Sequence, residues 1–182
     1  MSVITLKNVR LSFPQIWTPK AYMEGQTAKY SANFLLDKEA DKDQISNFKK
    51  EIKKAATVAF NGDIPKGLKT CLGDGVEKAY DGYENAMFVS CSTRQRPVII
   101  DRDRSQLVEE DERPYAGCYV NAAVSLWVQN NQFGKRVNCN LQAIQFVKDG
   151  DTFGGGGVKV ESMFDDISAE QAADADDDDF LS

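Results

Sequence analysis

Ala116-Gly117-Cys118-Tyr119-Val120-Asn121-Ala122-Ala123-Val124-Ser125-Leu126-Trp127-Val128 is the stretch on which the fold reading turns. From Cys118 to Val128 every second residue is apolar, the period-two pattern of a strand with one face against a core. The alternate face carries Tyr119, Asn121, Ala123, Ser125, Trp127 and Gln129, two large aromatics among small groups. Asn130-Asn131-Gln132-Phe133-Gly134 then reads as a hairpin turn, with Asn and Gly supplying positive φ angles. Arg136 to Val147 returns, with Val137, Cys139, Leu141 and Ala143 inward and Asn138, Asn140 and Gln142 outward. At Ile144 and Phe146 the apolar parity flips, which predicts a bulge or a segment buried on both sides.

Upstream of this hairpin the same rules give a coarse element order. Val3 to Phe13 is a strand in which Val9, Leu11 and Phe13 point one way and Asn8, Arg10 and Ser12 the other. Pro14 and Pro19 enclose an irregular segment carrying Trp17 at the margin of the sheet. Lys29 to Leu36 is a second strand, with Tyr30, Ala32, Phe34 and Leu36 on one face and Lys29, Ser31, Asn33 and Leu35 on the other. Between Asp37 and Phe60 the period changes: Ile45, Phe48, Ile52, Ala55, Ala56 and Ala59 trace one helical face, and Asp37 or Asp41 suits its start. The lysines on its other sides (Lys42, Lys49, Lys53, with Lys50 and Lys54 further round) read first as a solvated face. Asn61 to Asn85 has no sustained period, and so long an excursion in a small domain is usually functional or mobile. Met87 to Thr93 is a strand, Val98-Ile99-Ile100 a short apolar run, and Glu109 to Glu112 a solvated loop. Five or more strands with one amphipathic helix predict a mainly β fold, an OB-fold-like five-stranded barrel with extra loops or strands. A mixed α+β sandwich would produce much the same string.

Charge divides the chain. The 182 residues hold 22 Lys+Arg and 28 Asp+Glu, a net charge of -6. Nine of those acids fall in Glu161–Ser182, which contains no Lys or Arg, so residues 1–160 carry 22 basic against 19 acidic residues, a net +3. Gly154-Gly155-Gly156-Gly157 precedes the acidic block and precedes no helix bearing Lys-Ser or Lys-Thr, so it reads as a linker rather than a phosphate loop. The expected division is a nucleic-acid-binding domain over 1–153 and a linker with an acidic tail over 154–182. A cytoplasmic location is expected, since the N-terminus lacks a basic segment followed by an apolar one and no run of about 18 apolar residues occurs. Cys71, Cys91, Cys118 and Cys139 lie 20 or more residues apart, and there is no His, so the spacing fits buried free thiols better than a metal site. Without His the commonest general base is missing. The Asp101-x-Asp103 and Asp149-x-Asp151 pairs are too few for a two-metal nuclease. No enzyme activity, cofactor or metal is called for.

Holding single-stranded nucleic acid without reading its sequence takes cations for phosphates and flat rings for bases. The polar, aromatic face of the Tyr119 strand is the strongest such signal, because Asn121, Ser125, Asn138, Asn140 and Gln142 make it too polar for a sealed core. Candidate rings are Trp17, Tyr115, Tyr119 and Trp127, with Tyr22 and Phe133 in reserve; candidate cations are Arg10, Lys20, Lys29, Arg94, Arg96 and Arg136. Tyr119 and Trp127 are about 26 Å apart along a strand, suited to two ends of a groove. A protein-interaction adaptor that acts through the acidic tail alone is the competing reading.

Arg10-Leu11-Ser12-Phe13-Pro14, Pro19-Lys20-Ala21, Lys29-Tyr30-Ser31-Ala32, Tyr115-Ala116-Gly117-Cys118-Tyr119-Val120 and Asn140-Leu141-Gln142-Ala143-Ile144-Gln145 carry a resemblance. They resemble segments of the phage-encoded single-stranded DNA-binding proteins that have an OB-fold and an acidic C-terminal tail. The resemblance implies non-catalytic, largely sequence-independent binding of single strands in DNA replication or recombination, in the host cytoplasm, with homo-oligomers a further possibility. It also implies that Asp176, Asp177, Asp178, Asp179 and Phe180 contact partner proteins. Phe180 is followed here by Leu181-Ser182, whereas in several tailed relatives the aromatic stands last or next to last.

Overall fold

The apolar faces of the C-terminal hairpin form one wall of a closed barrel in the computed structural model, which describes residues 2–21 and 23–153. The glycine run and the acidic block lie outside the described residues. The barrel strands are β1 (Val3–Lys20), β2 (Lys29–Asp37), β5 (Ala86–Thr93), β7 (Tyr119–Asn131) and β8 (Gly134–Lys148). Strand β1 runs antiparallel between β2 and β7, β2 pairs with β5, and β7 with β8. A parallel pairing of Ser92 with Asn140 joins β5 to β8 and closes the ring. Closure removes the open edges that a sandwich would keep, and the order of pairing is that of an OB-fold. Outside the ring, β3 (Lys69–Thr70) and β6 (Val98–Ile100) add to β8, and β4 (Leu72–Asp74) adds to β5.

Helix α1 (Lys42–Ala59) presents Ile45, Phe48, Ile52 and Ala56 to the barrel core, in one buried cluster with Leu6, Leu11, Phe34, Leu36, Val124 and Leu141. The helix therefore closes one end of the barrel. Its start is prepared by Asp37, whose carboxylate accepts from the Glu39 and Ala40 backbone amides and is held below the usual carboxylate range by them. All four cysteines are buried and free. Sγ of Cys91 and Cys139 are 3.2 Å apart across the β5–β8 seam, and burial pushes the Cys118 thiol up to about 11. Such thiols pack rather than react.

Two register shifts account for what the pattern showed. Ala123 pairs with Ala143 but Val124 with Leu141, so Gln142 is an extra residue in β8 and the parity flips beyond it. Ile144 and Phe146 accordingly return to the core. In β1 the register shifts between Ser12 and Gln15, where Phe13 has φ +47°. The expected inward Phe13 is thus corrected: the bulge turns its ring out to 41% exposure, on the same side as Ser12. The expected irregular segment from Pro14 to Pro19 is corrected as well. β1 continues through both prolines to Lys20 with shifted register, which a proline tolerates at a bulge, and Trp17 lies half-buried against the core. At the β7–β8 hairpin the positive φ belongs to Gly134 and not to Asn130 or Asn131.

Candidate nucleic-acid interface

The outer faces of β1, β2 and β5 lie side by side, and register puts small polar groups there in rows. Ser12 pairs with Asn33 and Asn33 with Ser90; in the next row, Gln15 pairs with Ser31 and Ser31 with Ser92. At the end of the same three strands Lys20 pairs with Lys29, while Tyr30 pairs with Thr93, the residue before Arg94. Lys20, Lys29 and Arg94 therefore form a basic row about 13 Å from Asn33, four residues along β2.

Over the other end of this face lies the segment from Gly75 to Asn85, which carries Tyr80 and Tyr83. Tyr83 is fully buried, packed on Leu35 and Ala86. Its hydroxyl shares a 2.8 Å hydrogen bond with Ser12 Oγ and accepts one from Asn33 Nδ2 at 3.1 Å. A phenol is needed because Ser12 and Asn33 would otherwise be covered with unpaired polar groups. Tyr83→Phe is expected to cost about 1–3 kcal/mol in urea unfolding by leaving those groups unsatisfied. Around this anchor stand three rings: Phe13 lies 4.8 Å from Tyr80, edge to face, and Phe88 lies 5.7 Å from Tyr83. Tyr80 is 47% exposed beside the slightly less open Phe13. The result is a hollow of about 380 Å³ lined by Phe13, Gln15, Lys20, Ser31, Asn33, Lys78, Tyr80, Tyr83, Phe88 and Ser90. Among the described residues no carboxylate lines it, although the chain has more acids than bases.

The sequence candidates fall in four places. Lys20 lines the hollow, and register sets Lys29 and Arg94 beside it, while Arg96 lies with its guanidinium 5.8 Å from the half-buried Trp17 ring. Arg10, Tyr115 and Tyr119 bind the chain to itself. Arg10 donates to the carbonyls of Gly117 and Asp151 and stacks 4.0 Å from the Phe153 ring centre. The Tyr115 hydroxyl donates to Asp149 Oδ1 at 2.7 Å and accepts from Gly150 N, and burial with that carboxylate raises its pKa. The Lys148 ammonium lies 4.8 Å from the Tyr119 ring. Trp127 lies in a separate hollow beside α1, not at the far end of one groove with Tyr119. Arg136 is exposed near the tip of the β7–β8 hairpin, opposite Gln129. Tyr22 and the residues Asp176 to Phe180 lie outside the described residues.

The hollow also brings together Phe13, Lys78, Tyr80 and Phe88, which sequence reasoning did not single out. Phe13 was hidden by the bulge, which reverses the side that strand alternation assigns. Tyr80 sits in an aperiodic segment, whose length was the signal available.

Among solved structures, the chain is similar to the single-stranded DNA-binding protein of bacteriophage Enc34 in complex with single-stranded DNA. The two share 26% sequence identity with a TM-score of 0.77 over 84% of this chain and 89% of that one. The single-stranded DNA-binding protein gp2.5 of bacteriophage T7 matches at 14% identity and a TM-score of 0.57 over 91% of this chain and 99% of that one, a likeness of fold alone. A curated relative, putative protein p50 of Acyrthosiphon pisum secondary endosymbiont phage 1, is 43% identical over 175 residues, covering 91% of this chain and 94% of that protein. The family model described as the single-stranded DNA-binding protein of Enterobacter phage Enc34 matches residues 1–181, and the chain belongs to that family.

Proposed function

We propose that this chain coats single-stranded DNA without sequence preference and without catalysis, in phage DNA replication or recombination, through the β1–β2–β5 face. Unstacked bases lie on Phe13 and Tyr80, with Phe88 behind them. Phosphates meet Lys78 at one end and Lys20, Lys29, Arg94 and Arg96 at the other. Gln15, Ser31, Asn33, Ser90 and Ser92 line the floor between, polar enough to wet the face and too small to block a strand. Arg10, Tyr115 and Tyr119 serve the site by holding the segment after β8 against the barrel, and Trp127 and Arg136 stand at its periphery. The carrying observation is the lining itself: lysines and rings with no carboxylate among the described residues, in a chain of net charge -6.

The test is a gel shift with poly-dT at two salt concentrations, where binding that weakens with salt supports the reading and no shift at either salt sinks it. Lys78→Ala should flatten the dependence of log affinity on log salt by about 0.7, one phosphate contact to a single strand. In this reading the acidic block has two uses: Asp176 to Phe180 dock partner proteins, and the carboxylates compete with DNA for the basic body. Deleting residues 165–182 should raise oligo-dT affinity most at low salt, where the Debye length is longest. Equal affinity with and without the tail at low salt would leave it as a partner-docking segment only.

A further inference from the structure

The second hollow, beside α1, has a different chemistry from the first. It measures about 540 Å³ and is lined by Ile4, Ala55, Val58, Ala59, Leu126, Trp127 and Val128, with Ser2, Glu51 and Lys54 at its rim. Val58 is 74% and Trp127 40% exposed, so apolar surface faces water at this spot. On the same flank of the helix, two turns upstream of Val58, stands exposed Lys50, in line with Lys54 at the rim. Over its whole length α1 has five lysines against Asp43 and Glu51. Read along the helix, cations come first and the apolar patch follows.

The C-terminal segment of the chain has the complementary order: Asp176-Asp177-Asp178-Asp179, then Phe180-Leu181. Lys50 and Val58 are eight residues apart on a helix, about 12 Å. Asp177 and Phe180 span about 10 Å in an extended chain, so charge and apolar contacts can be made together. Reach is no obstacle. Phe180 is 27 residues beyond Phe153, the last described residue, a contour of about 90 Å, against a diameter of roughly 40 Å for a body of this size.

We infer that the α1–β7 hollow is a docking site for the chain's own C-terminal segment, with Phe180 and Leu181 among Ala55, Val58 and Trp127 and the four aspartates along Lys50 and Lys54. A polyanion held there still repels DNA across the body at low salt, so the acidic block opposes DNA binding without occupying the DNA face. The lining favours this occupant over DNA, because six of its seven apolar residues are aliphatic and only Trp127 offers a flat ring to a base. Glu51 at the rim opposes both polyanions, and the flanking lysines outnumber it. The site stands apart from the proposed DNA face, so either reading can fail alone.

The experiment places the photo-cross-linker benzoylphenylalanine at position 180 of the full chain and maps cross-links by mass spectrometry without DNA. Cross-links to the peptides holding Ala55–Ala59 and Trp127 are expected. Their yield should fall about tenfold in Val58→Glu, which sets a carboxylate among the tail's own charges. Val58 is on the surface, so this variant should fold and keep its oligo-dT affinity at high salt. Cross-links to Phe13 or Tyr80, or none to the body, would overturn the inference. Heavy and light isotopic chains are mixed in the same run; cross-links joining heavy to light would make a second copy the occupant and overturn docking within one chain. Ultraviolet cross-linking of oligo-dT to Trp127 instead would assign the hollow to DNA.

Discussion

Phe13→Ala should weaken oligo-dT binding by about 5- to 150-fold, the range that one stacked base is worth at about 1–3 kcal/mol. A bulky residue at φ +47° is a genuine outlier, and such strain persists where the surrounding structure holds it for a purpose. The bulge here turns a large ring out of the core and sets it against Tyr80. A second substitution separates binding from stability. Glycine adopts positive φ without penalty, so Phe13→Gly should be the more stable of the two variants by about 1 kcal/mol in urea unfolding. Both lack the ring and should lose DNA affinity alike. If Phe13→Gly binds oligo-dT as tightly as the parent, the ring does not stack on bases, and the site must move elsewhere on the barrel.

Gly75→Ala is expected to cost roughly 3 kcal/mol of stability and to weaken oligo-dT binding as well, through a backbone clash. A Cβ at position 75 would stand 2.0 Å from the Tyr83 carbonyl oxygen and 2.5 Å from that of Ala86. Both neighbours are backbone, so no side chain can swing aside. Relief requires the Gly75–Asn85 segment to lift, and with it Tyr80 and the Tyr83 hydroxyl that bridges Ser12 and Asn33. Gly25→Ala makes a useful control, because nothing lies within 4 Å of a Cβ there and its cost is limited to the φ of +85°. Measured by thermal unfolding and fluorescence titration, Gly75→Ala should lose on both axes. Loss of stability with full DNA affinity would show that the Tyr80 segment is not part of the interface.

Much of the barrel was legible because alternation over five or more residues has few structural explanations. Cys118 to Val128 and Lys29 to Leu36 kept the faces their patterns assigned, and the parity flip at Ile144 marked the bulge at Gln142. The helix was legible for the same reason at a period of 3.6. The strand ends were harder: Lys20 and Lys29 stand nine residues apart in sequence, and only the β1–β2 register makes them neighbours. On the Trp127 face Trp127 is exposed, but Ser125 is buried beneath Gln142, and Trp127 shares a hollow with α1 rather than with Tyr119. Alternation says which side of a strand a residue takes, not what packs beside that side further along.

The sequence by itself determined the mainly β class, the core-facing helix, the four unpaired thiols and the separation of a mildly basic body from an acidic C-terminal block. These depend on local period and composition, which tertiary context leaves intact. Only the tertiary structure decided where the rings and cations meet. Phe13 reaches the outer face through one left-handed residue, and Tyr80 through a segment held by a buried phenol 71 residues from its partner Ser12. Lys20, Lys29 and Arg94 share a row because three strands pair in one register. A bulge, a long-range hydrogen bond and a register each depend on the closed barrel as a whole, and no window of the chain contains them.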